Sequence, residues 1–350
     1  MSTSSLPLWG QAWELVVTYA TATGAQQTTI TASAWQPEAL HMTFEVLQST
    51  LPSPWWFADI SIYNFNKAEA KNTLVNATWA TLKAGFQTGP NLYSIIWDGP
   101  VFQVLFDQEN VVDQRVTLHC VANPQQLTQI VSFATGPWAA QQQIVARMID
   151  AAGAPPIDPA RGTQGQQANQ IMSAKQYPRG YGCFGKVGKY LAELASDNFI
   201  TTFQDGQQAY LTEMYNDNLE PDVIYAPPPA PGPQAPSLSP GTTASIIGTP
   251  RQTLYGVMFT VLLDPRLKVK LPIQVVALDP STVFQQLPLL PNPNSGFPSP
   301  LTSDLKLFVA QVRHTGDTRG NDWQTEVTGY TTTYAAGLIE GIFAPGAGAP

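Results

Sequence analysis

Apolar and polar positions alternate with a period of two through most of the first third of the chain. WELVVTYA (13–20), HMTFEVLQS (41–49), FADISIYN (57–64), TWATLKAGF (78–86), LYSIIWDG (92–99) and VVDQRVTLHC (111–120) are each rich in β-branched and aromatic side chains. Such alternation predicts strands with one face turned to a core. PSP at 52–54, TGPN at 88–91, DGP at 98–100 and DQEN at 107–110 are the expected turns between them. One short helix is expected in NFNKAEAKNTLV (64–75), where Asn66 can cap the first turn and Glu69 stands three residues on.

The period then changes. PWAAQQQIVARMIDAAG (137–153) repeats apolar residues at helical spacing and should stop at Gly153. GKVGKYLAELASD (185–197) predicts a second helix with Leu191, Leu194 and Ala195 on one face. In NFITTFQDGQQAYLTEMY (198–215), the pair Asp205-Gly206 between two strand-like runs predicts a hairpin. APPPAPGPQAPSLSPG (226–241) carries seven prolines and reads as an extended connector. Strand patterns resume in LYGVMFTVLLDP, KLPIQVVALDP, LKLFVAQVRHTG and WQTEVTGYTTTY. The expected organisation is mainly β with a small α/β insertion: a β domain over 1–122, the insertion over 123–225, a proline-rich connector over 226–243, and a second β domain over 244–350.

Composition narrows the function. The 350 residues include 43% hydrophobic and 10% aromatic residues, only 12% are charged, and the formal net charge is −8. A sequence-reading nucleic-acid binder needs a basic footprint, so that class is disfavoured. Nucleic acid sliding past without binding remains compatible with an acidic chain. Cys120 and Cys183 are the two cysteines, and they form no CxxC or Cys/His ligand spacing. The start MSTSSLPLWGQAW lacks a basic segment followed by an apolar run, so no signal peptide is expected. No apolar run approaches the ~18 residues of a spanning helix, so no membrane insertion is expected either.

Few residues invite chemistry. VRHTGDTRGNDWQTEVTGYT (312–331) crowds Arg313, His314, Asp317, Arg319, Asp322 and Glu326 around Gly316 and Gly320. A catalytic His314–Asp317 pair would need a nucleophile or metal beside it, and no HxxxH or HxH spacing is present. The stretch is better read as a hairpin loop. Its glycines would permit positive φ, and its charges would be solvated or paired locally. His41 and His119 stand singly in strands. Cys183 in GYGCFGK does not match the G-x-S-x-G geometry. GKVGK (185–189) lacks half of a phosphate-binding loop. Asp98, Asp107 and Asp113 read as solvated turn carboxylates. Trp9, Trp13, Trp55 and Trp56 fit core packing or subunit contact before ligand stacking. No catalytic, metal or cofactor site is expected.

Taken in order, four segments resemble the baseplate hub proteins of contractile-tailed bacteriophages, the Mu-like and late-control-D-like group. ADISIYNFNKAEAKNTL (58–74) and LKAGF with IIWDGPVFQVLFDQENVVDQRVTLHC (82–120) are similar to the first hub barrel. ASIIGTPRQTLYGVMFTVLLDPRLKV (244–269) is similar to the start of the second, and 312–331 to its closing hairpin. The resemblance implies two tail-tube-like β-barrels per subunit and a homotrimer forming a pseudo-sixfold ring. Such a ring would adapt a hexameric tail tube protein to a trimeric central spike protein, meet other baseplate (wedge) proteins, and pass DNA without binding it. The protein would be assembled in the host cytoplasm and reside in the virion tail. His314, Gly316, Asp317, Arg319, Gly320 and Trp323 then form an assembly hairpin supplying edge strands for pairing between subunits. Two rival readings are a tail-associated cell-wall hydrolase, with Glu193 and Glu213 as acids in the insertion, and a carbohydrate-binding tail module using tryptophan.

Overall fold

Residues 11–21, 24–33, 40–49, 55–65, 73–86, 93–108, 114–122, 129–153, 172–196, 200–205, 208–213, 223–226, 242–252, 256–269, 271–275, 284–285 and 305–331 are described by the computed structural model of the chain. Within them the chain forms two compact units. One holds the strands before residue 122 and after residue 217; the other holds the elements between.

The first unit begins with seven strands: β1 (Gln11–Thr21), β2 (Gly24–Ser33), β3 (Met42–Ser49), β4 (Trp55–Tyr63), β5 (Ala77–Phe86), β6 (Tyr93–Gln108) and β7 (Gln114–Val121). The period of two is realised as expected. Met42, Phe44, Val46 and Gln48 of β3 are buried, while the residues between them are partly exposed. β7 buries Val116, Leu118 and Cys120 in the same way. Fully burying a Val, Leu, Ile or Phe side chain is worth about 1.5–3 kcal/mol, so these faces hold the register.

The second unit contains β8 (Ile130–Ala134), β9 (Ala139–Ala140), helix α1 (Gln141–Ala151), β10 (Gln176–Tyr177), β11 (Gly182–Lys186), helix α2 (Val187–Ser196), β12 (Ile200–Asp205) and β13 (Gln208–Glu213). Its core joins Val131 and Cys183 of the β8–β11 ribbon to Ile144 and Met148 of α1 and Leu191 and Leu194 of α2. The predicted stop of α1 is met, since Gly153 takes φ +63 just beyond the helix. The predicted hairpin forms as well, with Asp205 paired to Gln208. Gln141 is fully buried, and its Nε2 donates to the Leu194 carbonyl in the last turn of α2 at 2.7 Å.

The first unit is completed by β14 (Val223–Ala226), β15 (Thr242–Gln252), β16 (Gly256–Leu262), β17 (Pro272–Val275), β18 (Phe284–Gln285), β19 (Leu305–Asp317) and β20 (Trp323–Thr331). All fourteen strands of this unit belong to one sheet, ordered β17-β14-β15-β16-β20-β19-β3-β4-β7-β6-β5-β1-β2, with β18 on β15. Most neighbours are antiparallel; β14–β15, β14–β17 and β15–β18 are parallel. β17 also pairs with β19, so β17, β14, β15, β16, β20 and β19 are hydrogen-bonded in a cycle. Tyr225, Ile246, Phe259, Val261, Ile273 and Leu307 are among the buried residues of these strands.

Several expectations change. DGP at 98–100 is no turn: β6 runs unbroken from Tyr93 to Gln108. It pairs with β5 up to Pro100 and with β7 from Val101 on. The Asp98 carboxylate accepts from Trp79 Nε1 at 2.7 Å and Thr81 Oγ1 at 2.6 Å, which ties it to β5 instead of solvating it in a turn. Asp107 pairs with Arg115 at 2.8 Å. β2, rich in Thr and Gln, and the short β14 have no counterpart among the predicted strands. The turns PSP and TGPN, Asn66 and Glu69 of the predicted helix, Asp113, Trp9 and residues 227–241 of the connector lie outside the described residues. So do the side chains of Trp55, Ala195 and Glu213. Among the described residues no helix is long and apolar enough to cross a membrane.

Candidate assembly site

The 312–331 stretch folds as the β19–β20 hairpin. Gly316 is paired with Trp323 across it. On its other edge β19 pairs with β3, placing Gly316 opposite Phe44. The two aromatic rings meet edge-on over the glycine, centroids 5.3 Å apart at 76°. A Cβ on Gly316 would sit 2.2 Å from Phe44 Cζ and 2.9 Å from Trp323 Cζ3. The glycine is therefore demanded by ring packing and not by positive φ; neither Gly316 nor Gly320 adopts it. Trp323 is 2% exposed, and its Nε1 donates to the Gly85 carbonyl of β5 at 3.3 Å.

The turn beyond is tied to the start of β3. Thr318 N donates to the Met42 carbonyl at 3.0 Å, and Met42 N donates back to Thr318 Oγ1 at 2.9 Å. The Asp317 carboxylate accepts from the Arg319 backbone at 2.9 Å and lies 2.8 Å from His41 Nε2. Burial alone would raise the Asp317 pKa. The Arg319 and Gly320 backbone N–H groups and His41 outweigh it and leave the carboxyl below its ordinary value. His41 in turn stacks on Tyr63 at 4.4 Å. Arg313 reaches Glu45 of β3 at 2.9 Å. The expectation of local pairing is thus corrected: Asp317 and Arg313 find partners some 270 residues away in the sequence, with separations of 276 and 268. His119 is likewise paired, with Asp59 at 2.6 Å. Arg319 and Gly320 are exposed at the turn.

His314 is 1% exposed, and burial lowers its pKa to about 4. Its Nδ1 lies 2.8 Å from Thr325 Oγ1, and the Leu267 backbone bonds the ring. A carbonyl only accepts, so the facing ring nitrogen carries the proton and Nδ1 accepts from the Thr325 hydroxyl. Thr325 Oγ1 also accepts from Asp264 N at 3.0 Å. The Asp264 side chain then receives Tyr225 O–H at 2.9 Å and two Arg266 N–H groups at 2.8 and 2.6 Å. Burial and Asp264 hold the Tyr225 phenol well above its ordinary pKa. This chain of bonds links β19, β20 and β14 through the Asp264–Arg266 segment that follows β16. Only the DPR at 264–266, a charged pair within an apolar run, signals it in the sequence.

These groups satisfy one another. Cys183 is buried and desolvation raises its pKa, as it does more strongly for Cys120. Glu193 lies exposed, 3.8 Å from Lys189 on the same helix. Among the described residues no group of three His, Cys, Asp or Glu side chains could hold a metal ion.

The hairpin does not supply free edges. β19 is flanked by β20 on one side and by β3 and β17 on the other, and β20 by β16 and β19. The expectation that it offers edge strands to a neighbour is overturned, because both its strands are already paired.

No protein-family model matches the chain, and no curated protein does. Solved structures do. The 43 kDa tail protein of prophage MuSo2 from Shewanella oneidensis is similar over 93% of this chain and 98% of its own, with a TM-score of 0.50 and 8% identity. A tail protein from Neisseria meningitidis is similar over 93% of this chain and 98% of its own, at a TM-score of 0.46 and 8% identity. An Escherichia coli protein is described as a component of the type VI secretion system similar in structure to T4 tail proteins gp27 and gp5. It covers 85% of this chain and 75% of its own, at a TM-score of 0.47 and 11% identity. The chain shares the fold of the Shewanella tail protein.

Proposed function

We propose that the chain is a structural protein of a bacteriophage tail: a baseplate hub whose three copies form a ring between a hexameric tail tube and a trimeric spike. One observation carries this reading, the fold shared with the Shewanella tail protein along nearly the whole of both chains. The six-strand cycle of β14–β17, β19 and β20 supports one barrel of the two the hub reading requires. The other would be built on β1–β7, and the elements β8–β13 of the second unit would decorate the ring.

The role needs rigidity and not turnover. A hub holds position while a tail acts, and the side chains around 312–331 are locked by packing and paired charges. DNA would pass through the ring without specific binding, since a net charge of −8 offers phosphates no attraction. The other partners would be wedge proteins of the baseplate, and the site of action the virion tail.

Negative-stain imaging of the purified chain, alone and co-expressed with the tube and spike proteins of its own genome, tests the proposal. Threefold rings with a central hole are expected. Compact monomers in both samples would overturn it.

A further inference from the structure

The sheet of the first unit has two long strands that are paired on one side only among the described residues. β2 pairs only with β1. β6 changes partner halfway: β5 flanks Tyr93–Pro100 and β7 flanks Val101–Gln108, so Val101–Asp107 has a strand on one side alone. β15 also changes partner, from β14 at Thr242–Ser245 to β16 from Ile246 on; the remaining long strands have neighbours on both sides among the described residues.

Edges of this kind invite pairing with another chain, and soluble proteins blunt them with lysine, proline, short length or a bulge. β2 carries none of those devices; the β6 edge carries one, a bulge between Val101 and Gln103, and is regular from there to Asp107. β2 is ten residues, GAQQTTITAS, without a charge or a proline. Val101–Asp107 reads VFQVLFD, and its single charge, Asp107, is already held by Arg115. Phe102 is 79%, Phe106 47% and Leu105 42% exposed. Leu105 and Phe106 take opposite faces of the strand, and Phe102 stands in the bulge. A strand laid alongside would thus gain apolar contact on both faces as well as main-chain bonds. β2 suits that place: Ala25, Gln27 and Thr29 are exposed, small or uncharged, and do not compete for space with aromatic rings.

We infer that the Val101–Asp107 edge of one copy receives β2 of a second copy. The two surfaces differ, so the contact is head-to-tail. Each copy then keeps one donor and one acceptor edge, and the series ends only by closing into a ring. The inference deepens the hub reading and rests on it for the number of copies. Unlike the hairpin at 312–331, these edges have no second strand beside them among the described residues.

The test uses the full chain and measures mass in solution. Phe102→Asp and Leu105→Asp alter one edge; Ala25→Asp and Thr29→Asp alter the other. All four side chains are exposed, and far-ultraviolet circular dichroism checks that each variant keeps its fold. Two variants per edge guard against a single misfolded one. Each variant is expected to associate at least about tenfold more weakly than the wild type. Mixing Phe102→Asp with Thr29→Asp chains should restore one intact contact and yield dimers, which neither variant forms alone. Variants of either edge that remain trimeric would overturn this inference and leave the hub reading standing. A monomeric wild type would overturn both.

Discussion

Replacing Gly316 by alanine should destabilise the first unit through one contact. The added methyl would lie 2.2 Å from Phe44 Cζ and 2.4 Å from Cε1, far inside van der Waals separation. Phe44 is 4% and Trp323 2% exposed, so neither ring can swing into solvent. Overpacking of this kind costs about 1–3 kcal/mol. Loss of the edge-on geometry adds about 0.5–1.5 kcal/mol. The smaller entropy of an unfolded alanine chain returns about 0.5–1 kcal/mol. The net is about 2 kcal/mol, which lowers Tm by about 4–8 °C for a unit of this size. Thermal melts followed by tryptophan fluorescence at one fixed protein concentration would read it, since assembly also shifts Tm. Trimming the ring with Phe44→Leu should relieve the clash, so the double variant should show a coupling of about 1 kcal/mol or more in its favour. A Gly316→Ala melt within about 1 °C of wild type, or a cycle without coupling, would refute the packing argument.

Four further outcomes follow from the same unit. His314 has an ordinary pKa of 6.5 and a folded pKa of about 4, so the unfolded chain binds its proton first; stability is complete above pH 6.5 and falls by up to about 3 kcal/mol as pH drops towards 4, and His314→Gln should flatten that part of a melting-versus-pH curve. Arg266→Ala leaves the 3%-exposed Asp264 carboxylate without its cation and should cost about 3–5 kcal/mol, against about 1–2 kcal/mol for Tyr225→Phe; chemical denaturation that ranked them in reverse would contradict the network. Trp323→Phe keeps the ring contact but loses the bond to Gly85, so a drop of about 1 kcal/mol is expected in the same assay. The double variant Gly316→Val, Gly320→Val crowds Phe44, Trp323 and Asp317 together and should melt below Gly316→Ala; a melt no lower than that of Gly316→Ala would contradict the packing at the hairpin turn.

The sequence reading and the fold shared with the Shewanella tail protein agree on a mainly β chain, although identity is 8%. The two agree because the alternation in segments such as HMTFEVLQS and LKLFVAQVRHTG is a local property, set by which side chains must face a core. Sequence alone therefore determined that the chain is mainly β, that two helices and a hairpin interrupt it, and that 312–331 is a hairpin.

What it could not determine is which strand lies beside which. β19 has β3 on one side, though more than 250 residues separate them, and that pairing alone gives Gly316 its ring, Asp317 its histidine and Arg313 its glutamate. The same limit explains the misread DGP. Its proline and glycine are ordinary turn residues, but Trp79 and Thr81 capture Asp98 and carry the strand on to a new partner. Buried His314 and the exposed Phe102 edge likewise follow from tertiary neighbours. A side chain's burial and a strand's open edge depend on chain brought from far away, and no local period records that.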